Sequence, residues 1–352
     1  MAVFPLIREP DRYKPGPIDL EADAEARAHW LEHFRDHLDT LMPLLYQQAA
    51  TPDQRERADR FAREYCDGVD RLAAHPEDFA GRCNIVFDYL RDGLLREHGF
   101  PDPYKAIKDA ENNRAVALYP ALVGELAGHA DLRELIEVLV RNVFAGNIFD
   151  MGSLAFVAAY QSSGQDFFAT RRNLRRRPWL IDHLDRLTDF LIDGRFSDVM
   201  MFVDNAGADV VLGAVPFAKH LARCAERVTL VANSLATLND ITIDELNIVL
   251  NRLRAVDDEL DAMLWAGRLT TLASGTGEPL LDLTTVSEQC ADRARACDFL
   301  ILEGMGRSVE SNREVEFLCP TLKIALLKSE FIARRLGGQI YDPVCRFELP
   351  SA

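Results

Sequence analysis

No stretch of this 352-residue sequence approaches the roughly 18 to 20 uninterrupted apolar residues of a membrane-spanning helix. Its opening, MAVFPLIREPDRYKPG, has no apolar signal-peptide core. Both absences set the expectation of a cytoplasmic protein. Positive charge is in deficit, with 40 Lys plus Arg against 56 Asp plus Glu and a formal net charge of −16. That balance opposes non-specific attraction to nucleic-acid phosphates or anionic lipid, so neither nucleic acid nor membrane is expected as a partner. The one basic run, Arg171, Arg172, Arg175, Arg176 and Arg177, lacks interleaved aromatics and stops at Pro178, and reads as a solvated helix end. The seven cysteines are odd in number, scattered and without a CxxC pair, which excludes a zinc ribbon or disulfide scaffold and leaves reduced core thiols. No GxSxG elbow supports serine-hydrolase chemistry. A haloacid-dehalogenase reading fails because Ala206 stands where a second aspartate is needed after Asp204.

What is present is an ordinary 48% of hydrophobic residues, enough for one large or two intimate domains. From about residue 20 to 190, runs such as ARAHWLEHFRDHLDTLMPLLY, LRELIEVLVRNVFAG and WLIDHLDRLTDFLI repeat apolar residues every three or four positions, which predicts helices. Breaks fall at Pro52, Pro76, Pro101 with Pro103, and Pro178. After Gly194 the texture changes to short runs rich in Val, Ile and Leu: SDVMMFVDN, RVTLVANS, CDFLILEG and LKIALLK. Such runs, separated by helical patterns, predict a mostly parallel sheet covered on both faces. The expected fold is therefore α/β: a mostly helical domain over 1–190 and a Rossmann-like three-layer domain over 191–352.

In that architecture ligands sit beyond the carboxyl ends of strands, so the polar residues closing each strand are the candidates. The run VMMFV delivers Asp204 and Asn205, turns at Gly207 and starts a helix near Asp209. A carboxylate and an amide oxygen side by side suit a hard divalent cation, while Asp204 can equally be read as a helix cap. The next strand runs out at Asn233, and Asp240 follows before another helix. Sheet winding can bring Asp240 to the same edge, although capping alone also accounts for it. A third strand leads to Glu303, Gly304, Gly306 and Arg307. Its GMG lacks the third glycine of a dinucleotide fingerprint and reads better as an anion-binding loop. Lys323 and Lys328 in LKIALLKSE call for a negative partner if buried. His29, His33 and His37 recur every four residues on one helix face, a formal zinc-like stripe. Trp30, Leu31, Phe34 and Leu38 mark the core face and leave these histidines on its margin, so no metal is expected there.

Taken together, these residues resemble the metal-dependent damage-control phosphatases, whose hallmark Asp-Asn-x-Gly-x-Asp is intact here as Asp204, Asn205, Gly207 and Asp209. The similarity runs through ENNRAVALYP, AGNIFDMGS, SLATLNDIT, SGTGEPLLDL, ILEGMGRSVESN and TLKIALLKSEFIARRLGG. DNAGADVVLGAVPFAK and ARRLGGQIYDPVCRFEL most resemble the branch whose phosphatase domain is fused to a pantothenate kinase homologue. The resemblance implies a helical region joined to a Rossmann-like domain, and a divalent metal (Mg²⁺, Mn²⁺, Co²⁺ or Ni²⁺) on Asp204, Asn205 and Asp240. It also implies a small phosphorylated metabolite as substrate: phosphopantetheine or its damaged derivatives in that branch, sugar phosphates in others.

The expected reaction is hydrolysis of a phosphomonoester by metal-activated water. Asp209 would position or deprotonate that water. Lys323, the backbone after Gly207, Ser274 and Thr276 would neutralise the phosphoryl group, and Asn147 and Asp150 would line the cleft. Direct attack by Asp204, a nucleotide-cofactor oxidoreductase and an inactive binding protein stand as alternatives. Oligomeric state is not legible.

Overall fold

Capping begins the helical half of the chain, which a computed structural model describes over residues 1–79, 83–148 and 167–351. Asp23 accepts the Ala26 N–H to start α1 (Ala24–Gln48), and a Thr51–Gln54 capping box with Pro52 in the first turn starts α2 (Pro52–Ala74). Trp30, Phe34, Leu41 and Leu45 of α1 share a core with Phe61, Tyr65 and Val69 of α2 and with Phe87 of α3 (Ile85–Glu97). Two longer helices follow, α4 (Lys105–Ala127) and α5 (Leu132–Ile148). The last turns of α5 are buried all round from Asn142 to Asn147, because this helix lies against a π-helical segment, Asp209–Ala214. Gly146 makes that approach possible: a Cβ there would stand 2.7 Å from Asp209 Cα.

The strands are β1 (Ile181–Asp182), β2 (Asp198–Phe202), β3 (Arg227–Ala232), β4 (Leu269–Ala273), β5 (Phe299–Glu303), β6 (Thr321–Leu326) and β7 (Pro343–Glu348). Their spatial order is β1-β7-β6-β5-β2-β3-β4. Every neighbouring pair is parallel except β6 with β7. Alternate residues of the central strands feed different cores. Val199, Met201, Phe299 and Ile301 join the core that includes α5, whereas Met200, Phe202, Leu300 and Leu302 pack with Phe4, Leu283 and Cys290 on the other face. The sheet is therefore the middle of three layers. From β2 the chain steps outward to β3 and β4, then returns to the opposite side of β2 for β5 and β6. That reversal opens a crevice between the carboxyl ends of β2 and β5.

The four anticipated strand runs are β2, β3, β5 and β6. WLIDHLDRLTDFLI was expected as one helix, but the helix occupies only Leu184–Asp193. Ile181 pairs with Val344 at the sheet edge, and the Asp182 carboxylate accepts from the N–H groups of Trp179 and Leu184 and from Arg177. The basic run is in part the solvated helix end expected of it, since a helix over Phe167–Asn173 ends within it and Arg172, Arg175 and Arg176 are exposed, but the run is also tied down. Arg171 is buried against Glu125 and Asn142, Arg175 meets Asp342, and Arg177 meets Asp182 and Asp185. All seven cysteines are free thiols, five of them buried. No described helix is long and apolar enough to cross a membrane.

Candidate functional site

β2 runs directly into Asp204 and Asn205, and the chain beyond β3 folds back beside them. The Ala206 N–H donates to Asn239 O at 2.9 Å and the Ile241 N–H to Asp204 O at 3.0 Å, so Asn205 and Asp240 form an isolated antiparallel bridge. This backbone clip, more than strand order, is what brings Asp240 to Asp204. β5 contributes Glu303, whose Oε2 accepts the Asp204 N–H at 2.8 Å. Gly304 follows at φ +97°, with Asp204's carboxylate occupying the space a Cβ would need.

Two amides hold the carboxylates. Asn147, fully buried at the end of α5, donates through Nδ2 to Asp209 Oδ2 at 2.9 Å, Asp204 Oδ2 at 3.3 Å and Glu303 Oε1 at 3.4 Å. Asn205 Nδ2 donates to Asp209 Oδ2 at 2.7 Å and Asp204 Oδ2 at 2.9 Å, which keeps Asn205 Oδ1 for a donor or cation elsewhere. Arg307 pairs with Asp204 through Nη1, and through Nη2 with Asp240 Oδ2 at 2.7 Å and Asn233 Oδ1 at 3.2 Å. Asp204 and Asp240 thus converge on one spot that already suits a cation.

Charge is unbalanced here. Asp204, Asp209, Asp240 and Glu303 are all buried, and the guanidinium of Arg307 is the charged group bonded to two of them. Lys328 adds positive charge at longer range. Burial and then the Asp204 charge push Asp209 up to about 6, and burial with Asp209 and Asp204 raises Glu303 well above the usual carboxylate range. Asp204, Asp209 and Glu303 each offer an oxygen within 4.8 Å of the others. Asp209 Oδ1 is buried and, among the described residues, has no hydrogen-bond partner. An excess of buried carboxylate oxygens with one such orphan fits a hard divalent cation.

The sign of the pH dependence follows. A carboxyl held above its unfolded value contributes stability below that value and loses it as pH rises through the folded one, here about 6 for Asp209. Above that pH the strain of ionised carboxylates is open to relief by metal; below it, protons compete with metal. Thermal unfolding with and without Mn²⁺ is expected to show a large stabilising shift near about pH 7.5 that collapses by about pH 5. A shift independent of pH would contradict this origin.

A buried ion cluster positions Asp240 from the helical side. Arg91 pairs with Asp88 and Asp92, its Nη2 donates to Thr237 Oγ1 at 3.0 Å, and that hydroxyl donates to Asp92 Oδ2 at 2.6 Å. Thr237 O in turn accepts the Asp240 N–H at 3.1 Å, across a turn with Leu238 at φ +42°. Thr237→Val keeps the volume and removes the hydroxyl. On the reading that Asp240 would be a metal ligand, the change is expected to weaken Mn²⁺ binding about tenfold by calorimetry, as losses behind a ligand typically do; unchanged affinity would remove Thr237 from the site's support.

Several expected residues lie elsewhere. Lys323 points away from the carboxylates: its Nζ donates to Arg313 O and Val315 O and meets Glu348 at 2.8 Å. Mid-strand position sends it to the other face, whereas Lys328, past the end of β6, lines the cleft. Ser274 and Thr276 bond to each other at 3.0 Å within the loop after β4. The Gly207 N–H is taken by Asn112 Oδ1 at 2.7 Å. Asp150 falls outside the described residues. Asn233, not proposed as a site residue, closes β3 as Asp204 follows β2, and that parallel was its signal. Asp204, Asn205 and Asp240 open on a cleft of about 690 Å³ whose other wall belongs to α1.

A family model described as the damage-control phosphatase ARMT1-like domain matches residues 31–344. A damage-control phosphatase of Arabidopsis thaliana is 37% identical, over 90% of this chain and 87% of its own length. Pantothenate kinase 2 of Arabidopsis thaliana is 36% identical over 100% of this chain but 42% of its own length. The 4′-phosphopantetheine phosphatase of Mus musculus is 30% identical over 99% of this chain and 48% of its own. The chain thus spans less than half of those last two proteins. A crystal structure of a DUF89 family protein from Pyrococcus horikoshii shares the fold, with a TM-score of 0.62 at 15% identity over 90% of this chain and 96% of that one.

Proposed function

The chain belongs to the damage-control phosphatase ARMT1-like family, a family of phosphatases, and from that premise we propose a divalent-metal-dependent hydrolysis of 4′-phosphopantetheine or its oxidised derivatives. The observation that carries metal dependence is the surplus of buried carboxylates around Arg307, with Asp209 Oδ1 unpartnered among the described residues. Asp204, Asn205 and Asp240 would hold the cation, and their oxygen donors suit Mg²⁺, Mn²⁺, Co²⁺ or Ni²⁺. When bound, a divalent cation supplies Lewis acidity and lowers the pKa of water.

The chain's own residues do the rest. Asp209, held up to about 6, is suited to take a proton from the attacking water at Oδ1. Asn147 and Asn205 fix its other oxygen and so its orientation. Lys328, which lines the cleft, counters the charge of the phosphoryl group in place of Lys323, while Arg307 stays paired with Asp204 and Asp240. The hydrogen bonds and ion pair that Asp204 accepts from Asn205, Asn147 and Arg307 draw charge from its oxygens while leaving lone pairs for a cation, which favours water over Asp204 as nucleophile. The substrate assignment draws support from the mouse relative's name and from a cleft larger than a phosphate group needs.

The test is phosphate release from 4′-phosphopantetheine, its sulfonate and several sugar phosphates, with each of the four metals and with chelator. Metal-dependent release with preference for the pantetheine esters is expected. Preference for a sugar phosphate would reassign the substrate, and undiminished release in chelator would reject metal dependence.

A further inference from the structure

Four-residue spacing puts His29, His33 and His37 along about 12 Å of one side of α1. All three line the same cleft as Asp204, Asn205 and Asp240. The margin of the helical core on which the sequence places them is the cleft wall itself. His29 stacks on Phe331 with ring centroids 4.1 Å apart, and His37 Nε2 meets the Tyr104 hydroxyl at 3.1 Å. His33 makes edge contacts with Trp30 and Phe34 and, among the described residues, no hydrogen bond.

These imidazoles are neutral near pH 7. Desolvation by the surrounding cleft walls, followed by His29 and the Arg91 charge, lowers His33 below the ordinary imidazole value although its surface is exposed to the cleft, and burial with Arg91 holds the half-buried His37 at about 3. A neutral imidazole carries one donor and one acceptor. Leu238, Leu280 and Met305 add apolar surface to the same cleft. Arg91, whose charge reaches His33 and His37, is paired with Asp88 and Asp92 and so is not free to hold a second phosphate or a carboxylate.

We propose that the histidine face of α1 is the subsite for the non-phosphate part of the substrate, and that His33 is its specificity-determining contact. The ligand it selects is an elongated, uncharged chain bearing amide or hydroxyl groups, which excludes compact sugar phosphates and polyphosphorylated tails. This rests on the phosphatase reading above and adds where, and by which residues, the tail is held.

The experiment measures kcat and KM for 4′-phosphopantetheine and for p-nitrophenyl phosphate, which has no tail, with wild type, His33→Ala and His33→Gln. For 4′-phosphopantetheine, His33→Ala is expected to raise KM about tenfold with little change in kcat, the signature of lost ground-state binding. For p-nitrophenyl phosphate the loss in kcat/KM should stay within about threefold. His33→Gln, which keeps a donor and an acceptor, should recover most of the KM effect. Equal losses on both substrates, or no change on either, overturn the subsite while leaving the phosphatase reading intact. Failure of the wild-type protein to release phosphate from either ester overturns the reading and the subsite together.

Discussion

Gly304→Ala is expected to lower metal-dependent phosphate release by at least about a hundredfold without unfolding the protein, since a displacement near 1 Å at a reacting centre costs that much. The residue sits at φ +97°, where any side chain is strained, and its missing Cβ is the space filled by Asp204's carboxylate. Alanine would push that carboxylate off the spot where it converges with Asp240, or shift the turn that leads to Arg307. The sheet beneath, buried on both faces, has no reason to change. Steady-state kinetics beside a thermal melt separate the two effects. A variant with near-wild-type turnover would mean that Asp204 is not held where catalysis needs it.

Asn147→Leu should act first on stability. Its Nδ2 is the shared donor to Asp204, Asp209 and Glu303, and its Oδ1 accepts the Leu326 N–H at 3.4 Å. Leucine of similar shape removes all four contacts and leaves buried carboxylates underserved, a loss of about 3 to 5 kcal/mol for groups of this kind. Urea unfolding without metal measures it directly. Saturating Mn²⁺ should recover part of the loss, because a bound cation stabilises the folded state by mass action and supplies the missing positive field. A change below about 1 kcal/mol would show that the cluster does not depend on its amide donor.

How much of this was readable from sequence depended on burial. β2, β3, β5 and β6 were legible because both their faces are covered, which forces continuous apolar runs. β4 was not, since Thr270 and Thr271 are half-buried, and neither was β7, which opens on Pro343, runs antiparallel to β6 and carries Arg346. Asp204 and Asn205 announced themselves at the end of a hydrophobic run. The placement of Asp240 depends on two backbone hydrogen bonds in an aperiodic loop, which no spacing encodes. Lys323 and Lys328 differ only in whether they lie within β6 or beyond its end, and the strand boundary decides between them. The histidines of α1 read as core margin because helical periodicity reports which side of a helix is buried, not what stands opposite.

Phosphate release from 4′-phosphopantetheine across a Mn²⁺ titration, with wild type beside Asp204→Ala, tests the central claim most directly. The account predicts release that rises with metal in the wild type and falls by about a thousandfold or more in the variant, as loss of an essential catalytic group does. Release that is independent of metal, or that survives in a folded Asp204→Ala protein, would contradict it.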